Sequence, residues 1–291
     1  MMVKVIVDHD PSLSYEQDSL VKKAANVFLV PILNNIPARL QSVIKRSHES
    51  AEEVIEHATT HRALEVLYHS GHPHRNQSLK SKLFHSIWFN TINSKAVRNR
   101  LQLVRREVTT ALRRRTDRGE PVLVLSVAAG SARAVLESMA ALGPKKKLVS
   151  AVFVDKNPHA IDYSRKLAEE LIGDTTQVRW VIDSIGNFLA REATSYDLVE
   201  MVGLLDYFDD AKTITTASGI FRILKSDGIF ITANIKDNPE RPFVTKAIGW
   251  DMIYRTPEEF ARLVVAAGFK ETATKVFLEP LKVHSVLVAS K

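Results

Sequence analysis

The chain has 291 residues, of which 25% are charged and 45% hydrophobic, with a formal net charge of +7 and no cysteine. This is the composition of an ordinary globular protein, and it excludes disulfides, thiolate metal ligands and a cysteine nucleophile. No apolar run approaches the roughly 18 to 20 residues that span a bilayer. The amino terminus MMVKVIVDHDPS carries acids where an export signal has its apolar core, so a cytoplasmic location is expected.

Residues 1–119 hold the whole basic excess and eight of the ten histidines, and they read mostly as helix. Apolar residues recur at three- and four-residue steps over 15–33 and again over 50–67. In AVRNRLQLVRREVTTALRRR, 96–115, Val97, Leu101, Val104, Val108 and Leu112 form one stripe. Arg98, Arg105, Arg106, Arg113 and Arg114 lie mainly off it. HSGHPHRNQS, 69–78, reads as a loop. His57 and His61 are four apart, with His69, His72 and His74 nearby, which is a spacing metal sites use. No HExxH order or placed third ligand accompanies them, so no metal site is expected.

From Glu120 the pattern alternates strand and helix. VLVLSV is a strand, ARAVLESMAAL a helix closed by Gly143-Pro144, and LVSAVFVD a second strand. NPHAIDYSRKLAEEL is a helix with Asn157 as cap, Pro158 at its first position and Gly173 after it. VRWVID and YDLVEMVG are the third and fourth strands, with a helix or loop at 185–193 between them. A helix at 209–224, an SDG turn at 226–228 and the fifth strand IFITANI follow. Thr256-Pro257-Glu258-Glu259 is a capping box opening a helix that stops at Gly268. Strands around 272–278 and 283–289 close the chain as an antiparallel pair.

Apolar strands alternating with helices imply an α/β fold with a mostly parallel sheet covered on both faces. Such sheets bind ligands at the carboxyl ends of their strands. After the first strand stands AAGSA, small enough for close approach, at the start of a helix with free N–H groups. Gly130 is its one glycine, where a pyrophosphate-binding loop would have two or three. Asp155 follows the second strand, placed to accept from ribose hydroxyls, and Asp183-Ser184 follows the third, placed to receive an exocyclic amine. The fourth ends in VGLLDYFDD, with Gly203, Asp206 and Tyr207.

LSVAAGSAR, VDKNPHAI, VIDS, DLVEMVGLLDYFDD and the terminal strand pair together resemble a class I S-adenosylmethionine-dependent methyltransferase over residues 120–290. The resemblance implies a Rossmann-like, seven-stranded sheet with an antiparallel carboxyl-terminal hairpin, S-adenosylmethionine as cofactor, and residues 120–291 as the catalytic domain. It puts Ala128, Gly130, Ser131 and Ala132 at the methionine part of the cofactor, Asp155 and Lys156 at the ribose, and Asp183 and Ser184 at the adenine. Val202, Gly203 and Leu204 would line the pocket below. The acid this family often carries in its first strand is Ser126 here, and two loop glycines are alanines. A ligand without pyrophosphate needs less backbone clearance, which accounts for the sparse glycine.

GLLDYFDD and WDMIYRTPEEF are also similar to a bacterial group that includes enzymes forming methyl esters of hydroxy fatty acids. That likeness makes Trp250, Tyr254 and Arg255 substrate-side candidates, with Arg98 and Arg100 closing from the helical region. Residues 1–119 would be a basic, substrate-selecting lid, and the acceptor a small anionic molecule methylated on a carboxylate or hydroxyl. A carboxylate is already ionised at pH 7; for a hydroxyl, Asp206 or Tyr207 would serve as base. The competing readings are an RNA methyltransferase using the basic helices, a catalytically silent nucleoside binder, and an NAD-dependent oxidoreductase, which would want more loop glycines.

Overall fold

The β-branched runs after residue 120 pair into one sheet, as strands with two apolar faces must. The computed structural model describes residues 3–36, 60–69 and 89–291. Its strands are β1 (Lys4–Val7), β2 (Val122–Val127), β3 (Val149–Asp155), β4 (Val178–Ile182), β5 (Tyr196–Met201), β6 (Leu224–Ile235), β7 (Thr274–Leu278) and β8 (His284–Ser290). They lie in the order β1-β7-β8-β6-β5-β2-β3-β4. All pairs are parallel except those of β8, which runs against both β6 and β7. The chain steps outward from β2 to β3 to β4, then returns to lay β5 on the other side of β2. Strand order therefore reverses between β2 and β5, where a crevice opens at the strand ends.

The helices are α1 (Leu20–Asn34), α2 (His61–Tyr68), α3 (Ile92–Thr116), α4 (Arg133–Ala140), α5 (Pro158–Ile172), α6 (Ile185–Arg191), α7 (Asp210–Ile223) and α8 (Pro257–Ala266). The end signals act as their chemistry dictates. Asn157 accepts from the His159 N–H ahead of Pro158, and α8 opens on a reciprocal Thr256–Glu259 capping box. No helix among the described residues is long and apolar enough to cross a membrane.

Three expectations need correction. The sheet has eight strands, because KVIV at the amino terminus pairs in parallel with β7. Four residues within a region that otherwise reads as helix are too few to show a period. Second, residue 119 is no structural boundary among the described residues. Val104, Val108 and Leu112 of α3 share one core with Val122 and Val124 of β2 and Leu136 of α4. Each such side chain contributes about 1.5–3 kcal/mol by leaving water, which fixes α3 to the sheet. Third, Ser226-Asp227-Gly228 is an irregularity inside β6. Pairing jumps from Tyr196–Leu224 to Leu198–Ile229, so four residues leave the ladder there. A Cβ on Gly228 would stand 3.0 Å from the carbonyl oxygens of Lys225 and Tyr196.

His57, His72, His74 and most of the 50–67 and 69–78 stretches lie outside the described residues. Among the described residues, no cluster of three or more His, Asp or Glu is placed to hold a metal ion.

Candidate active site

The loop after β2 is built on three residues in the left-handed region: Ala128 at φ +50°, Gly130 at +55° and Ala132 at +55°. An L-residue pays roughly 1–2 kcal/mol there. The backbone thus takes the shape that glycines would adopt freely, with alanines at two of the three positions. Asp155 at the end of β3 braces it: its Oδ2 accepts from the Gly130 N–H at 2.9 Å and its Oδ1 from the Asn157 N–H at 2.8 Å.

A cavity of about 750 Å³ opens over this loop, lined also by Lys156, Asp183, Ser184, Val202, Gly203 and Leu204. Every cofactor-side residue expected from the sequence is therefore brought to one cavity, large enough for a nucleoside-sized ligand. Asp183 pairs with Arg191 and accepts from the Ser184 N–H, while the Ser184 hydroxyl caps α6. Gly203 sits at φ +85°, and a Cβ added there would meet nothing within 4 Å.

α2 covers the loop. Its Glu65 is buried and pairs with Arg133 at 2.6 Å, and it accepts from the Tyr163 hydroxyl at 2.8 Å. Burial works against its charge, but bonds from Arg133, Ser131 and Tyr163 hold its pKa below the ordinary carboxylate value. One turn earlier, His61 lines the cavity with its Nδ1 unpartnered among the described residues.

A smaller pocket of about 80 Å³ adjoins the cavity, and Arg100, Gly203 and Tyr207 belong to the walls of both. Arg100 is 3% exposed, yet its Nε and Nη2 have no hydrogen-bond partner among the described residues. Burial opposes its charge, and Tyr68 and Asp206 more than offset that. Asp206 is buried in the same wall, its pKa raised by that burial, and its Oδ1 accepts from the Asn234 amide and the Ile235 N–H. Tyr207 accepts from the Trp250 indole at 2.6 Å, and burial pushes its phenol up to about 12. Trp250 and His284 complete the polar wall; both His284 ring nitrogens are unpartnered among the described residues, and burial holds that ring neutral.

Three substrate-side expectations are corrected. Arg98 pairs with Glu16 and donates to the Leu67 and Phe89 carbonyls, lining neither pocket. Arg255 is a buried clamp, donating to Asp210, Asn234 and the Leu205 and Phe208 carbonyls. Tyr254 lies under the Arg241 guanidinium at 4.3 Å, away from both pockets. Structural partners absorb both arginines, and the Tyr254 ring is taken up by Arg241.

Sequence reasoning missed Glu200. It is 7% exposed at the end of β5, lines the large cavity and accepts a bond from the Ser126 hydroxyl. The signal was present as a lone acid in the apolar strand YDLVEM. His284 gave no signal beyond its type, and His61 only its spacing from His57.

A family described as "Putative methyltransferase" matches residues 59–291. Comparison with curated proteins gives no match. Among solved structures, a Bordetella parapertussis protein described as a possible exported protein is similar at 16% identity and TM-score 0.65, with 88% of this chain and 97% of that chain covered. Magnesium protoporphyrin IX methyltransferase from Synechocystis, with bound S-adenosylhomocysteine, is similar at 14% identity and TM-score 0.52, over 69% of this chain and 88% of that chain. The chain belongs to this methyltransferase family and has the fold of class I S-adenosylmethionine-dependent methyltransferases.

Proposed function

We propose that the enzyme transfers the methyl group of S-adenosylmethionine to an oxygen of a small anionic acceptor, a carboxylate above all, and that Arg100 holds this acceptor. The residues present fit the cofactor. Asp155 and Lys156 would hold the ribose, Asp183 and Ser184 the adenine, and the left-handed loop Ala128–Gly130–Ala132 at the start of α4 the methionine end. When bound, S-adenosylmethionine supplies a methyl group on a sulfonium, whose loss leaves a neutral thioether.

The protein's part is then orientation and exclusion of water, for which gains of about 7–11 kcal/mol are available. A carboxylate needs no base at neutral pH. This agrees with Tyr207, which at a pKa of about 12 keeps its proton and can only donate or brace. Asp206 stands beside Arg100 as a positioning residue, tied to β6 through Asn234 and Ile235.

The single observation that carries the reading is Arg100: a buried guanidinium with two unpartnered nitrogens, in the wall shared by both pockets. Tyr68 and Asp206 support its charge, but buried N–H donors without acceptors are costly, and an anionic ligand would supply the acceptors for Nε and Nη2. The apolar remainder of the smaller pocket, including Leu64, Val97, Phe243 and Met252, suits an acid with a hydrocarbon body. A nucleic-acid acceptor finds less support, since Arg105, Arg106, Arg115 and Arg118 are committed to ion pairs.

The test is methyl transfer to a panel of small aliphatic and aromatic carboxylic acids, with amines and RNA as competitors. Arg100→Met should lower kcat/KM for the acid by roughly 10- to 150-fold, the worth of a hydrogen bond to a charged group. S-Adenosylhomocysteine should still bind, and Arg98→Met should leave the acceptor KM unchanged. Transfer to amines or RNA alone, or an unaffected Arg100→Met, would overturn the assignment.

A further inference from the structure

Among the described residues, Glu200 is the buried acid of the large cavity that no cation neutralises by contact. The other acids there are used: Asp155 by two backbone N–H groups, and Asp183 by Arg191 and the Ser184 N–H. Among the described residues Glu200 receives bonds only from uncharged groups, the Ser126 hydroxyl on the neighbouring strand and the Val202 N–H. Ser126 and Glu200 are directly paired in the β2–β5 register, at the point where strand order reverses. On its other flank Glu200 pairs with Ile231 of β6, which is apolar and fully buried. The groups that act on it electrostatically are Arg100 of α3 and Tyr68 of α2, neither hydrogen-bonded to it, together with the Val202 N–H.

We infer that Glu200 and Ser126 form the subsite for the ammonium group of the cofactor's methionine end, with Ser126 orienting the carboxylate and Glu200 supplying the charge. The inference rests on the proposed cofactor and deepens it. A carboxylate in this position is expensive to keep ionised without a partner. Burial accordingly pushes its pKa up to about 7, against the opposing pull of Ser126 and Arg100. A ligand ammonium brings the missing charge and donors. Division of charge along the site follows: ammonium against Glu200 at the β2–β5 edge, and acceptor anion against Arg100 at the wall beyond it.

The position of the acid also accounts for Ser126. A carboxylate there would face Glu200 across a register pair, and two acids in contact disfavour each other's ionised form. One carboxylate and one hydroxyl give a single charge and a donor to hold it.

The test is binding, with no turnover. Calorimetric titration of the folded protein uses S-adenosylhomocysteine, its deaminated analogue and 5′-methylthioadenosine, which lacks the amino-acid part altogether. Glu200→Gln should weaken S-adenosylhomocysteine roughly 10- to 150-fold, as loss of a charge-assisted bond does, and leave the other two ligands unchanged. Ser126→Ala should give a smaller loss in the same direction. In the unaltered protein, affinity for S-adenosylhomocysteine should fall as pH drops below about 7, because the ammonium requires the ionised carboxylate. That slope should vanish in Glu200→Gln. A folded Glu200→Gln that binds S-adenosylhomocysteine as tightly and with the same pH slope would overturn the subsite while leaving the cofactor reading intact. Binding of none of the three ligands by the unaltered protein would overturn both.

Discussion

Arg98 and Arg100 stand two residues apart on α3 and point to opposite fates. Residues at i and i+2 of a helix face different sides, so the sequence already separates them, but it cannot say which side meets the cavity. Arg98 turns to Glu16 and Arg100 to the shared wall. The loop alanines mislead in a similar way: small side chains suggest reduced backbone freedom, yet Ala128 and Ala132 occupy the left-handed conformations of glycines. Glu200 carries a stability consequence. Its folded pKa is about 7 against an ordinary 4.5, so the folded state binds the proton more tightly. The free protein therefore loses stability as pH rises from about 4.5, and the loss is complete above about 7, to a limit of about 3 kcal/mol. Glu200→Gln should melt higher than the unaltered protein at pH 8 and at nearly the same temperature at pH 5. Parallel melting curves across that range would mean that Glu200 is solvated in the free protein.

At the scale of elements, strand ends and helix caps were legible because local chemistry decides them: Asn157 with Pro158, the Thr256–Glu259 box, the antiparallel β7–β8 pair. The contact of α2 with the cavity was not, since it rests on partners distant in sequence. Glu65 reaches Arg133 and Tyr163, 68 and 98 residues away. Glu65→Gln leaves a buried guanidinium short of charge, a change that costs up to about 3–5 kcal/mol when a buried pair is broken outright; Glu137, also paired with Arg133, reduces it. Hydrogen exchange should quicken over 61–68, with β2 and β5 still protected, and S-adenosylhomocysteine should bind more weakly. Equal protection in variant and parent would show that α2 is held by its apolar contacts.

For the whole molecule, the sheet was readable from alternation, whereas the charge of the first 119 residues gave no sign that α3 packs into the core of the sheet. Part of the basic character of the first 119 residues is taken up within the fold: Arg106 pairs with Asp8, Arg105 with Glu137, and Arg115 with Asp197 and Asp227. These pairs tie the amino-terminal strand, α3 and the sheet together. Net charge counts residues without regard to their partners, which only the fold supplies. Calorimetric titration of S-adenosylhomocysteine into the folded chain and its Asp155→Ala variant decides whether the large cavity holds the cofactor. One-to-one micromolar binding is expected, weakened roughly 10- to 150-fold in the variant by loss of a charge-assisted bond. No binding by the folded parent would mean that the cavity does not take this cofactor, and equal affinity in the two would move the cofactor away from the β2–β3 edge.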